Sequence, residues 1–350
     1  MFRNSSSHPR LDTTLPGRGG LMVASAAVAS IDEQVIQKAL AFPLEGTDFP
    51  QLGAKYEGKV RDNYSTADGR RIIIATDRIS AFDRVLGTLP LKGQLLNHVA
   101  AWWFDATRDV APNHVLSVPD PNVVVATECT SLPVEMVVRA YLTGTTSTSI
   151  WMNYEGGARK FCGHDLPDGM RKHQRLPKPL LTPSTKAAHG GHDISAAPEE
   201  ILELTQMPKA DFDAAAAMAM ALFATGQRIC AERGLILVDT KYEFGKTPDG
   251  RVVVIDEIHT PDSSRFWFTE SYEARFAAGK DPESFDKEYV RRFLAELGFR
   301  GDGPIPQIPD EVRVEATRRY TEAVEQITGA PFQPDLEEPL PRIAKNLGLS

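Results

Sequence analysis

Residues 235–265 hold the side chains with the clearest chemical potential. In 235–244, Asp239, Lys241 and Glu243 alternate with Val238, Thr240 and Tyr242, so a strand here sets three ionisable groups on one face. Pro248-Asp249-Gly250 is a turn signal, and residues 251–258 form a β-branched run with Asp256 near its end. Folded back as a hairpin, the segment brings Asp256 opposite Glu243 or one pair away. Two carboxylates facing each other beside a lysine are costly on a plain surface, and suit a divalent cation and a polyphosphate. An exposed hairpin face would show the same alternation. Asp256, however, shares its strand face with Val252, Val254 and Ile258. An acid on an apolar face is usually paired, metal-bound or functional.

The elements that must position these groups come from the whole chain. Its 350 residues suffice for one large or two medium domains. A composition 42% hydrophobic and 25% charged is that of a globular protein, with no run expected to span a bilayer. A net charge of -8 argues against a general nucleic-acid surface while allowing a local basic cleft. Cys129, Cys162 and Cys230 are odd in number, widely spaced and without zinc spacing, which reads as reduced thiols in a cytoplasmic protein. Residues 1–30 lack the form of a secretory signal and read as a flexible leader with a faint transit-peptide flavour.

A short helix is expected at 31–41, then a strand at 54–64 carrying Lys55, Glu57, Lys59 and Arg61, with Asp68-Gly69 turning into a strand at 70–76. Gly53 to Lys59 has the glycine and lysine spacing of a P-loop. Val60 stands where a hydroxyl must hold magnesium, no apolar strand precedes it and no helix follows, so that reading fails. A glycine-bearing hairpin can still cover phosphates. Residues 77–83, with Arg78, Ser80 and Asp83, are rich in ion-binding groups. A helix is expected at 91–104 and strands at 123–126 and 134–140, the last delivering Arg139 into a Gly144-centred run of hydroxyls. That run reads equally as a phosphate nest or as a hydroxyl loop and N-cap. Residues 167–192 read as loop, contributing Ser184 and Lys186, with His189 and His192 as a flexible segment more than a zinc site. Helices are expected at 211–233, from Asp281-Pro282 to Gly298, and at 310–328. The tail after Pro331 is proline-rich and acidic.

Six segments taken in order resemble the SAICAR synthetase (phosphoribosylaminoimidazole-succinocarboxamide synthase) family. They are Tyr56-Glu-Gly-Lys-Val-Arg-Asp62, Ala75-Thr-Asp-Arg-Ile-Ser-Ala-Phe-Asp83, Val137-Val-Arg-Ala-Tyr-Leu-Thr-Gly144, Thr182-Pro-Ser-Thr-Lys186, Leu237-Val-Asp-Thr-Lys-Tyr-Glu-Phe-Gly245 and Ile255-Asp-Glu-Ile-His-Thr-Pro-Asp-Ser-Ser-Arg265. The resemblance implies an α+β fold, distantly like kinases and ATP-grasp enzymes. A β-rich lobe at 31–130 would cover ATP against a larger α/β lobe at 131–330, with a tail at 331–350 packed on or trailing the surface. It implies a magnesium-dependent ligase joining L-aspartate to carboxyaminoimidazole ribotide through an acyl phosphate. The partners implied are small molecules, without nucleic acid or membrane, in a monomer or small homo-oligomer.

The same resemblance assigns roles. Glu243 and Asp256 would bind magnesium, with Gly58, Lys59, Arg61 and Glu243 about ATP. Lys241 would stabilise the transferring phosphoryl or the carboxylate, and Asp239 would orient Lys241 or meet an amino group. Arg139, Thr145 and Arg265 would hold the ribose phosphate, with Arg265 also counted among the catalytic groups. Arg78, Ser80 and Asp83 would border the imidazole and aspartate, and Ser184 and Lys186 would sit on a closing loop. A small-molecule kinase of the same layout and a non-catalytic metabolite-binding protein are the alternatives.

Overall fold

The computed structural model describes residues 31–81, 84–146, 148–186, 193–285 and 288–349. The expected leader, Asp83, His189 and His192 lie outside the described residues. Helix α1 (Glu33–Ala39) opens on Asp32, whose side chain accepts from Gln34 N as an N-cap should. Strands β1 (Ala54–Glu57), β2 (Arg61–Ser65) and β3 (Arg70–Ala75) follow, then a hairpin of β4 (Arg78–Ala81) and β5 (Arg84–Thr88). Helix α2 (Lys92–Ala106) leads to β6 (Val115–Asp120) and β7 (Val123–Thr127). Five of these strands make an antiparallel sheet in the order β1-β2-β3-β7-β6. The single strand expected at 54–64 is two strands. Gly58 to Val60 turn the chain, Gly58 N donates to Arg61 O at 2.8 Å, and a Cβ on Gly58 would stand 3.1 Å from that oxygen.

The second sheet is built on β8 (Thr130–Tyr141). After it come α3 (Ile150–Glu155), the short pair β9 (Lys160–Phe161) and β10 (His164–Asp165), β11 (Arg175–Leu181) and β12 (Ser184–Thr185). Helices α4 (Pro198–Thr205) and α5 (Lys209–Glu232) precede β13 (Leu235–Lys246), β14 (Val252–Ile255) and β15 (Ser264–Phe268). The order is β11-β8-β13-β14, with β12 also on β8 and β15 also on β13. Residues 167–192, expected to be loop, thus supply two strands. Pro177 and Pro179 fit because β11 pairs β8 only at its two ends, with an irregularity between Arg175 and Leu180.

Helix α5 is long and apolar enough to cross a bilayer by length and composition alone, a property the sequence reading did not anticipate. It packs against β13, β8 and β14 through Phe212, Ala215, Ala219, Leu222 and Phe223. Gly226 lets it approach the chain at His259, where a Cβ would lie 2.2 Å from the ring. Helix α6 (Thr269–Ala277) follows β15. Asp281-Pro282 was expected to open a helix, but Phe268 N donates to Glu283 O and Ser284 bridges Trp267, so this stretch runs beside β15. Helix α7 (Glu288–Glu296) comes after it, and α8 (Asp310–Thr328) matches its expected span.

The tail ends in α9 (Pro339–Asn346), which returns to the first lobe. Ile343 enters an apolar cluster with Leu44, Tyr64, Ile74 and Val123. Buried Arg342 donates to Asp120 at 3.0 Å and to Asn122 at 2.5 Å. Arg342→Ala leaves Asp120 buried without its cation and should cost roughly 3–5 kcal/mol of stability. Urea unfolding measures this; a loss below about 1 kcal/mol would mean the ion pair does not dock α9.

Candidate active site

Strand β13 carries the site because two of its charged side chains, Asp239 and Lys241, meet opposite charges on neighbouring strands. Asp239 pairs in register with Arg139 on β8 and with Arg265 on β15. Its carboxylate takes a short bond from Arg265 and lies 3.6 Å from the Arg139 guanidinium. Arg139 Nε also donates to Thr182 Oγ1 at 3.0 Å. Burial lowers the Arg139 pKa from its ordinary value, against the pull of Asp239. Two positions along β13, the Lys241 ammonium donates to Glu135 Oε1 at 2.9 Å and to Glu243 Oε1 at 2.6 Å. Burial works to lower the lysine, but the Glu243 and Glu135 carboxylates outweigh it and hold it above the usual lysine range.

Glu243 pairs with Glu135 on one side and with Ile255 on the other, so Asp256 stands one position beyond it, as the hairpin pattern required. The two carboxyls are driven apart. Burial would raise Glu243, yet Lys241 and Lys186 outweigh it and leave it near 2. Burial raises Asp256 to about 6, with Glu243 and Glu257 adding to the rise and Arg61 opposing it. Arg61 reaches across from the first lobe to bond Asp256 Oδ1 at 2.8 Å and, by a short contact, Glu257. Asp256 also holds a left-handed backbone, φ 67°, strain of the sort that collects at functional sites.

Two cavities flank the bonded Lys241–Glu243 pair, one lined by each partner. One of about 470 Å³ lies beneath the Gly58 turn and is lined by Gly58, Lys59, Arg61, Lys186, Glu243 and Asp256. The other, about 370 Å³, is lined by Arg139, Arg265, Asp239, Lys241, Glu135 and Ser184. The first offers two carboxylates and several cations, the donor set of a divalent cation with a polyphosphate. Among the described residues no group of three or more His, Cys, Asp or Glu side chains stands ready to hold a metal. A cation there would complete its shell with phosphate oxygens and water, the usual habit of Mg2+. The second cavity offers arginines for a carboxylate or phosphate.

The structure sorts the expected residues. Lys186 lines the cavity under the glycine turn, bonded to Glu243 and Ser131, while Ser184 lines the other. Asp239 faces the two arginines and does not orient Lys241, whose ammonium turns the other way to Glu135 and Glu243. Arg78 does not border either cavity. It is buried, with its guanidinium given to the carbonyls of Lys59, Glu45 and Gly58 and to Asp62, so it anchors the turn from beneath. Half-buried Ser80 and exposed Thr145 line neither cavity. At the hydroxyl run, Ser149 is the N-cap of α3, accepting from Met152 N.

The sequence reading gave no role to Glu135, Glu257 or Asp262. Glu135, Val137 and Arg139 alternate on β8 just as 239, 241 and 243 do on β13, so the same pattern test finds Glu135. Glu257 and Asp262 sit in irregular backbone after β14, where no period points them out.

Comparison with known proteins agrees with this geometry. The family model described as SAICAR synthetase matches residues 54–305. A protein of Mesorhizobium japonicum named putative phosphoribosylaminoimidazole-succinocarboxamide synthase 2 is 52% identical over 300 residues, covering 85% of this chain and 96% of its own length. The chloroplastic phosphoribosylaminoimidazole-succinocarboxamide synthase of Arabidopsis thaliana is 47% identical, covering 85% and 72%. Among solved structures, SAICAR-synthase from Saccharomyces cerevisiae complexed with SAICAR superposes with a TM-score of 0.72 at 28% identity, over 83% of this chain and all of that one. With an α+β fold of β-rich and α/β lobes shared with these structures, and a family match across both cavities, the chain belongs to the SAICAR synthetase family.

Proposed function

We propose that this chain uses ATP to join L-aspartate to the carboxylate of 5-amino-1-(5-phosphoribosyl)imidazole-4-carboxylate, releasing SAICAR, ADP and phosphate. The observation that carries this reading is the bonded pair Lys241 and Glu243, each lining one of the two cavities. A polyphosphate beneath the Gly58 turn and an acid held by Arg139 and Arg265 would then face each other across one lysine. A carboxylate is a poor electrophile. Transfer of the γ-phosphoryl group to its oxygen gives an acyl phosphate and ADP. Attack by the aspartate amine on the acyl carbon, with loss of a proton, forms the amide and expels phosphate.

Phosphoryl transfer needs alignment and cationic groups more than a protein nucleophile. Lys59 lines the cavity at the turn, and Lys241 meets charge developing at the junction. Glu243 and Asp256 fit Mg2+, which would neutralise the β and γ oxygens. Arg139 and Arg265 would hold the phosphorylated imidazole, and enclosure of the site would keep water from the acyl phosphate. The yeast relative's complex with SAICAR supports this assignment of the product. The same reading locates the enzyme in the cytoplasm, supported by the free thiols Cys129, Cys162 and Cys230.

The deciding assay follows ADP and the succinyl amide by mass, with ATP, magnesium and the ribotide, with and without L-aspartate. Amide formed only with aspartate is expected. ADP released equally fast without aspartate would mean a kinase, and no turnover by folded protein would mean a binding protein. Asp256→Asn preserves the left-handed backbone that asparagine tolerates, and should lower turnover roughly 100-fold or more. Its stability effect has the opposite sign. Folded Asp256 titrates near 6 and the ordinary value is 3.8, so ionisation costs stability above pH 6 and costs nothing below both values. Asp256→Asn should therefore melt a few degrees higher at about pH 8 and show no gain near pH 3.5. A variant less stable than its parent at pH 8 would refute that assignment of strain. Arg139→Ala should raise the KM for the ribotide about tenfold or more while leaving that for ATP unchanged. An unchanged ribotide affinity by calorimetry would remove Arg139 from the phosphate site.

A further inference from the structure

Lys92 is the first residue of α2, yet only 1% of its side chain is exposed. Both facts run against ordinary preference. A buried ammonium is expensive unless paired, and the positive end of a helix dipole repels a cation in its first turn. The helix start is anchored separately, by Asp77 Oδ1 accepting from Gly93 N at 2.8 Å. Lys92 is therefore not the group that caps α2.

Its partner is Asp262. Lys92 Nζ donates to Asp262 Oδ2 at 2.8 Å, and Tyr320 on α8 donates its hydroxyl to Asp262 Oδ1 at 2.7 Å. The lysine also lies over the Tyr320 ring, 5.7 Å from its centroid. One carboxylate is thus gripped from behind at both oxygens by two buried groups from two different helices. Its own side chain remains 15% exposed and lines the cavity of Arg139 and Arg265. A plain buried ion pair would have no reason to stop at that wall. Asp262 stands three positions before Arg265, on the loop leading into β15. Tyr320 comes from beyond residue 305, where the family match ends, so α8 reaches the back of the site.

We propose that Lys92 and Tyr320 are positioning residues that fix the Asp262 carboxylate to accept an N–H from an amino group in the Arg139–Arg265 cavity. This rests on the reading of that cavity as the ribotide and aspartate site. Two sources supply such a donor: the amino group on the imidazole and the amine of L-aspartate. Holding the acceptor rigid from behind removes the rotamer freedom it would otherwise lose on binding, which is the benefit of preorganisation. A solvent-facing aspartate at the same place would bind the amino group more weakly.

The test begins with the unmodified full-length enzyme. Failure to form the amide would refute the cavity assignment itself, before any variant is made. In an active enzyme, Tyr320→Phe keeps the ring over Lys92 and removes one hydroxyl. The KM for a single amino-bearing substrate should rise about tenfold, with the KM for ATP and the melting temperature nearly unchanged. A rise for the ribotide assigns the imidazole amino group, and a rise for L-aspartate assigns the amine. Lys92→Met is read the same way, with Tyr320→Phe deciding if the methionine costs the fold. In an Asp262→Asn background, Tyr320→Phe should add no further effect, because the grip acts through the carboxylate. Three unchanged KM values, three that rise together, or effects that add in the double variant would each overturn the proposal.

Discussion

The register of β13 between its neighbours is the constraint on which the rest of the site depends. Because side chains alternate, one face of β13 holds Val238, Thr240, Tyr242 and Phe244 in the core, and the other holds Asp239, Lys241 and Glu243. Pairing with β8, β14 and β15 then sets arginines beside Asp239, a glutamate beside Glu243 and Asp256 one step further on. A slip of one residue would bury the charges and expose the aromatics, so core packing enforces the arrangement of charges. The apolar face of β13 determines where the polar face points.

Charge in this interior is organised as a chain of opposite neighbours. Arg139 and Arg265 flank Asp239, Lys241 joins Glu135 to Glu243, Lys186 closes on Glu243, and Arg61 joins Asp256 to Glu257. Each ion offsets the desolvation of the next, which none could do alone. The balance is uneven, and that unevenness is chemically useful. Two cations keep Glu243 ionised, whereas burial, helped by Glu243 and Glu257, outweighs Arg61 and Lys241 at Asp256, which titrates high. Neighbouring carboxyls in one cavity thus differ in how readily they give up a proton, a divergence typical of working sites.

The two lobes are held by backbone as well as by charge. Val254 on β14 donates to Pro112 O and accepts from His114 N, so the second sheet is bonded to the first lobe two residues before Asp256. Arg61 crosses nearby, and α9 brings the end of the chain back onto the first sheet. The cavity under the glycine turn is therefore walled by both lobes while its acidic floor stays on β13 and the end of β14.

Much of this was legible in the residues. Alternation at 235–244, the turn at Pro248-Asp249-Gly250 and the acid within an apolar run sufficed to bring Glu243 and Asp256 together, because local periodicity and turn chemistry fix a hairpin without distant help. The spans of α5 and α8 followed from helical periodicity with clear ends. Arg78 and Lys92 mark the limit. Nothing local marks the role of either, and only the packing of distant segments makes one the anchor of the Gly58 turn and the other the partner of Asp262. Likewise the prolines at 177 and 179 announced a loop, but the broken pairing of β11 with β8 let them stand in a strand. The sequence by itself determined which groups share a strand face and which strands fold back on each other, since these depend on backbone geometry over a few residues. Tertiary structure alone decided which cation meets which acid and which of them reach a cavity. Those outcomes depend on desolvation and Coulomb energy between residues as far apart as Arg61 and Asp256, and no local pattern encodes such pairings.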